Sequence, residues 1–307
     1  MFTTTLGRTG LTVSRMGLGC GGHSRLGMGR GESKGHAARI VREAIYLGVN
    51  FIDTAESYGT EEAVGEGIAG LPRERLVLST KVGTTLDGRP ATSLEIRDRV
   101  EGCLKRLGTD YVDVLHLHGV MPSEYGHALD VLYPALADLK AQGKIRHIGI
   151  TEAFIRDTDH RMLASATTEG PWEVVMVGFN LLNPSARVRV LPQTQALSIG
   201  TLCMFAVRRA LSQPETLRQL LTELFEKGEI QEQPSTENPL GFLGPDLQEA
   251  AYRFCLWEPG VDVVLSGTGN IDHLRQNAKA LQEPPLPEAS LERLRIIFGN
   301  VDSVSGN

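Results

Sequence analysis

A chain of 307 residues is long for a two-layer fold and ordinary for one α/β barrel, which takes roughly 250 residues plus loops. Hydrophobic residues make up 41% and charged residues 22%, a globular composition with enough apolar side chains for a large core. The net charge of -6 argues against nucleic acid as a partner, because phosphate backbones select basic faces. An anionic cofactor stays open, since local dipoles and a few cations suffice to hold one.

The four cysteines, Cys20, Cys103, Cys203 and Cys255, are widely scattered. None forms a C-x-x-C pair or joins histidines at ligand spacing, so reduced thiols and no metal are expected. The start MFTTTLGRTG lacks the charged-then-apolar pattern of a signal peptide. No stretch is apolar for the length of a membrane span. The expectation is a soluble cytoplasmic protein with no membrane partner.

In chain order, Thr3–Val13 reads as a hairpin (TTTL, GRTG, LTV), placed to plug the bottom of a barrel. The first long strand is Met16–Gly19, followed by the glycine-rich loop Gly19–Gly35. Further strands are expected at Asn50–Asp53, Leu76–Lys81, Val112–His118, Ile145–Thr151, Val174–Asn180, Gly200–Phe205 and Val261–Ser266. Apolar runs such as VDVLHL suit parallel strands buried on both faces.

Helical patterns sit between them. Thr92 and Glu95 have capping-box spacing, Ile96, Val100, Cys103, Leu104 and Leu107 share a face, and Gly108 is the stop. Leu129, Leu132, Leu136 and Leu139 repeat similarly before Gly143, with Pro134 interrupting the pattern. Asn270 is placed to cap Ile271–Leu281. Ser212–Gly244 is polar and reads as a helix and a loop over the top. Eight strand–helix units without a domain-sized break in composition predict one domain over 1–307: a (β/α)8 TIM barrel with long loops at its C-terminal face.

In such a barrel the chemistry lies at the C-terminal strand ends. There the second strand ends in Asp53, the third in Lys81 and the fourth in His118, and Tyr58 follows in AESYG. A free tyrosine titrates near ~10, and a nearby ammonium favours its phenolate. Lys81 supplies that ammonium, Asp53 pairs with Lys81, and His118 hydrogen-bonds a substrate oxygen or relays a proton. The set is suited to protonating a carbonyl oxygen as hydride arrives at carbon. No nucleophile elbow or P-loop is present, so the hydride donor must be borrowed.

The segments FIDTAESYG, STKVG and DYVDVLHLHG resemble the three active-site segments of the aldo-keto reductases. LGRTGLTVSRMGLG, GKIRHIGIT and VLSGTGNIDHLRQNAKAL resemble that family's start, fifth strand and eighth strand with its helix. The resemblance implies Tyr58 as general acid/base, with Asp53, Lys81 and His118 completing a tetrad. It also implies an NAD(P)H site extended across the mouth: Gly19, Cys20, Gly21 and Asp53 near the nicotinamide, Gly267, Thr268 and Gly269 with the Asn270-capped helix at the adenosine-side phosphate, and His273, Gln276 and Asn277 facing adenosine. The implied substrate is a small carbonyl or alcohol.

The sequence departs from the pattern at the carboxamide-binding positions. Thr151-Glu152 replaces the usual Ser-Asn, and Met176 replaces a glutamine; Asn180 is retained. Met204 or Phe205 must supply the residue that stacks on nicotinamide. The family's habit favours NADP(H) over NAD(H), while Arg275, Arg208 and Arg209 are the nearby candidates for an extra phosphate. The departures also keep open an NADPH-binding ancillary subunit with little turnover. A Schiff-base aldolase using Lys81 leaves Tyr58 without a role. No heptad pattern specifies an oligomer.

Overall fold

The computed structural model describes residues 1–232 and 238–307. Its strands are β1 (Thr3–Thr5), β2 (Thr12–Ser14), β3 (Met16–Gly19), β4 (Phe51–Asp53), β5 (Val77–Gly83), β6 (Thr85–Leu86), β7 (Arg89–Pro90), β8 (Val112–Val120), β9 (Ile145–Glu152), β10 (Val174–Gly178), β11 (Gly200–Met204) and β12 (Val263–Ser266). Eight of them close a parallel barrel in the order β3-β4-β5-β8-β9-β10-β11-β12, with β12 pairing back onto β3. The (β/α)8 fold is therefore as expected, with every barrel-strand end within two residues of that read from the sequence.

The sixth expected strand stops early, at Gly178 rather than Asn180. The Asn180 side chain accepts from the backbone N–H of Leu182 and of Asn183, both at 3.0 Å. Such a side-chain turn takes the backbone out of the ladder.

Strand side chains alternate between two surroundings. One set faces the helices and forms the larger core, with Leu78, Leu115, Ile148, Ile150, Val175 and Val177. The other fills the barrel interior: Phe51, Val77, Val114, Val174, Met176, Leu202 and Val263 form one apolar cluster with Leu6, Leu11 and Val13 of the β1–β2 hairpin. The hairpin thus plugs the bottom, and Arg8 ties it down by donating to the carbonyls of Trp172 and Leu197.

The helix Ser93–Leu107 forms as its sequence dictates. Thr92 and Glu95 make the capping box, the five expected residues are buried, and Gly108 ends the helix at φ 65°. Pro134 lies in the first turn of Tyr133–Ala141, where a missing N–H costs little, and a π-helical segment, Ala128–Leu132, precedes it.

Within Ser212–Gly244 the expected helix is Pro214–Glu226; residues 233–237 lie outside those described. Its Leu221 lines a cleft of about 290 Å³ with Leu240 and with Ile297 and Phe298 of the helix Glu288–Phe298. The chain after β10 and β11 is tied to residues 304–306: Asn180 donates to the Ser305 carbonyl, Asn183 to that of Val304, and Ala210 N–H to that of Gly306.

Candidate active site

The inward rows of the barrel change character along each strand. Phe51 is followed two residues on by Asp53, Val77 by Ser79 and Lys81, and Val114 by His116 and His118. Period-two alternation therefore puts an apolar floor and a polar upper layer inside one barrel. The register places Asp53 beside Ser79, Lys81 beside His116, and Gly83 beside His118.

Lys81 is fully buried and donates to Asp53 Oδ2 at 2.6 Å and to the Thr54 carbonyl at 2.7 Å. An ammonium has three donors, so one remains to face Tyr58, whose ring centre lies 4.9 Å from Nζ. Burial opposes the ammonium, yet Asp53 and Tyr58 together hold the Lys81 pKa above the ordinary lysine value. Burial pushes the Asp53 carboxyl up, and Lys81 and Ser79 pull it back.

The Tyr58 hydroxyl sits 3.4 Å from His118 Nε2, the rings edge to face with centroids 5.4 Å apart. Its pKa is raised: burial outweighs the lowering by Lys81, and Asp53 adds to the rise. The lowering expected from Lys81 alone is thus present but overcome by desolvation. His118 is held down to about 3 by burial and by the charges of Lys81 and Arg99. It is a neutral imidazole at neutral pH, able to hydrogen-bond but carrying no spare proton to give.

Two residues of this network were not singled out from the sequence. Ser79 donates to Asp53 Oδ1 at 2.8 Å and lies 3.3 Å from His116 Nδ1. Each stands two positions before a singled-out residue, Lys81 or His118, so strand alternation was the signal that identifies them. Glu56, beyond them, pairs with Arg99 and accepts from Gly83 N–H. That pair braces the short helical turn carrying Tyr58.

Gly21 is required by Tyr58. A Cβ there would lie 2.5 Å from Tyr58 Cε2 and 2.6 Å from Cζ, so the backbone packs directly on the ring. Cys20 between Gly19 and Gly21 is buried, its N–H donating to the Asp53 carbonyl at 2.8 Å. Burial raises its thiol pKa, which keeps it a neutral thiol.

The positions expected to hold a cofactor are distributed unevenly. Thr151 faces inward, and its hydroxyl accepts from Gly119 N–H at 2.7 Å, leaving its own hydrogen free to donate. Glu152 has the opposite parity. It is buried, accepts from Gly178 N–H at 2.7 Å, and lies 3.0 Å from His160 Nδ1. His160 stacks on Phe154 with centroids 5.3 Å apart. Met176 belongs to the apolar floor, and Asn180 is consumed by its own turn and by Ser305. Met204 also faces the interior, whereas Phe205 stands beyond β11 in the left-handed region at φ 69°.

At the end of β12, a side chain on Gly267 would strike the Gly19 carbonyl, and one on Gly269 the Gly27 backbone. These glycines first serve contact between the loops after β3 and β12. Thr268 Oγ1 accepts from Asn270 N–H at 3.1 Å. Asn270 caps Ile271–Ala280 as expected, accepting from Asp272 and His273 N–H. His273 and Gln276 are exposed, and Asn277 donates to Ser266 Oγ at 3.0 Å. Arg275 is tied to Glu43 and Asp272, and Arg209 to Gln213.

The sequence profile of the aldo/keto reductase family matches residues 15–298. The chain belongs to the aldo/keto reductase family. Aldo-keto reductase YhdN of Bacillus subtilis is 30% identical over 295 residues, covering 86% of this chain and 84% of that protein. L-galactose dehydrogenase of Arabidopsis thaliana is 39% identical over 152 residues, 48% of this chain and 47% of that one. The holo form of aldo-keto reductase AKR11C1 from Bacillus halodurans superposes with a TM-score of 0.72 at 26% identity, covering 96% of this aldo/keto reductase and 95% of its own chain. The family consists of oxidoreductases that use NAD(P)H. Among the described residues of this member, no cluster of three His, Cys, Asp or Glu is placed to hold a metal, and no helix is long and apolar enough to cross a membrane.

Proposed function

We propose that this aldo/keto reductase moves hydride between NAD(P)H and a small carbonyl or alcohol, with Tyr58 exchanging the proton. The observation that carries the reading is the layer Asp53–Lys81–Tyr58–His118, assembled at the C-terminal end of the barrel from three strands and one loop. The bound cofactor supplies or accepts the hydride.

For reduction, the substrate oxygen sits where both the Tyr58 hydroxyl and His118 reach it. His118, neutral, donates a hydrogen bond and polarises the carbonyl. Tyr58 is a phenol at neutral pH, because burial keeps its pKa high. As negative charge grows on the substrate oxygen, the phenol gives its proton, and the third Lys81 N–H together with its charge stabilises the phenolate left behind. Asp53 fixes Lys81 in position. Oxidation of an alcohol runs the same steps in reverse.

The residues present fit a nicotinamide cofactor at one end better than at the other. The Thr151 hydroxyl keeps a hydrogen free on the inner side, the Gly19–Gly21 segment runs against Tyr58, and Met204 and Phe205 at the end of β11 are the candidates to stack on nicotinamide. Glu152, Met176 and Asn180 do not serve, each being committed elsewhere. At the far end the Gly267–Gly269 backbone, Asn270, His273, Gln276 and Asn277 line the turn into the last barrel helix. We favour NADP(H) from the family's habit; Arg275 is neutralised and does not decide the choice.

Fluorescence titration with NADPH and NADH, followed by an activated aromatic aldehyde, tests the reading. Binding with consumption of the reduced cofactor supports it, and Tyr58→Phe is expected to cut turnover while cofactor binding stays near wild type. Binding without turnover across an aldehyde panel transfers the assignment to an ancillary subunit.

A further inference from the structure

Several charged groups at the mouth have a partner close by. Asp53 neutralises Lys81, Glu56 neutralises Arg99, and Glu152 is held against His160. Arg208 follows β11 and is half-buried, yet among the described residues no carboxylate lies within ion-pair distance of its guanidinium. Its Nε and Nη2 both donate to one neutral oxygen, Oδ1 of the exposed Asn307, with Nε at 2.7 Å. An arginine fork is shaped for two anionic oxygens.

The guanidinium is also held in place. It lies over the Phe205 ring at 4.0 Å from the centroid, and Phe205 is braced edge-on by Phe154 at 5.5 Å. Phe205 adopts a left-handed backbone at φ 69°, a conformation that costs a bulky residue ~1–3 kcal/mol and persists where its surroundings impose it. Burial lowers the Arg208 pKa, and Tyr58 is close enough for its charge to raise it again. A half-buried, pre-positioned cation following β11, at the same end of the barrel as Tyr58, is thus left with a weak, displaceable partner.

We propose that Arg208 is an oxyanion-recognition site at the mouth, taking a carboxylate or phosphate group of a molecule bound beside Tyr58. This rests on the reductase reading above, and two sources share the chemistry: an acidic substituent on the carbonyl substrate, or a phosphate of the cofactor. In either case the anion displaces the Asn307 amide oxygen and gains charge-assisted hydrogen bonds.

The test uses the whole chain, Arg208→Met, which keeps an unbranched apolar stem over Phe205, and Arg208→Lys, which keeps the charge but not the fork. Without cofactor, at constant ionic strength, melting is followed with malonate and with inorganic pyrophosphate. The proposal expects at least one of them to stabilise wild type, Arg208→Lys to respond less, and Arg208→Met not at all. NADPH affinity and the KM ratio of 4-carboxybenzaldehyde to benzaldehyde then separate the sources. A rise in that ratio of about 10–100-fold in Arg208→Met marks a substrate carboxylate, and a similar weakening of NADPH binding marks a cofactor phosphate. Absence of anion stabilisation in wild type, or its retention in a folded Arg208→Met, overturns the site. A wild type that binds anions through Arg208 yet reduces no aldehyde overturns the reductase reading instead.

Discussion

Gly21→Ala is the sharpest probe of the active-site geometry. The added methyl would sit 2.5 Å from Tyr58 Cε2 and 2.6 Å from Cζ. Carbon atoms in contact prefer roughly 3.5–4.0 Å, so ring and backbone must separate by about 1 Å. The ring has little room to yield without disturbing its partners, with the His118 ring centroid 5.4 Å away and the Lys81 ammonium 4.9 Å from its own. Displacing a reacting group by ~1 Å costs on the order of 100-fold in rate, or about 2.7 kcal/mol of transition-state stabilisation. Overpacking adds a stability loss of ~1–3 kcal/mol. Gly21 does not have positive φ, so the effect is steric and not one of backbone strain. Steady-state kcat, cofactor affinity and the melting curve are measured together: kcat is expected to fall by about two orders of magnitude in a protein that still folds. A folded Gly21→Ala with kcat within about threefold of wild type would refute the argument that this glycine exists to seat Tyr58.

The buried ion pair makes a second prediction: Lys81→Met leaves Asp53 buried without a partner and costs ~3–5 kcal/mol in urea unfolding, whereas Lys81→Met with Asp53→Asn costs less than the sum of the single changes. Additive losses in that cycle would contradict the pairing. For His118, the folded pKa of about 3 lies below the unfolded value of ~6.5, so between them the unfolded chain binds more protons. Its contribution to stability is complete above about pH 6.5 and is lost as pH falls toward 3; His118→Gln is expected to flatten this part of the stability profile. The same neutral imidazole predicts no His118 limb in kcat/KM between about pH 5 and 8. Glu152→Asn, which puts back the residue type usual at that position, is expected to destabilise by ~1–3 kcal/mol through loss of the Gly178 and His160 contacts and not to tighten NADPH binding. Tighter binding in that variant would place Glu152 in the cofactor site after all.

The barrel and its polar mouth were legible because both rest on short-range rules. Alternation along VDVLHLHG and STKVG announces buried strands, and the capping box at Thr92–Glu95 and the Asn270 cap announce helices. What alignment by motif could not supply was parity and competition. Glu152 and Met176 occupy familiar places in the linear order, but one turns outward to His160 and the other fills the floor. Asn180 matches by type and is spent on its own turn. The Tyr58 pKa shows the same limit: the sequence names Lys81 as a neighbour, but the depth of burial that outweighs it depends on the closed barrel. Arg208 was one of two adjacent arginines in the sequence, and only its seat over Phe205 distinguishes it from Arg209.

Closure of the sheet by β12 against β3 has a consequence for biosynthesis. Met16 pairs with Val264, and the hairpin beneath it docks through Arg8 on Trp172, Leu197 and Ser198. At roughly 5–20 residues added per second, the first barrel strand emerges some 12–50 s before its last neighbour has been made. Throughout that interval β3 presents an unpaired edge, and Leu6, Leu11 and Val13 lack most of the interior they are built to fill. A nascent chain of this protein therefore carries an unpaired, apolar edge at the end made first, and a ribosome stalled before Val263 would expose it for as long as the stall lasts.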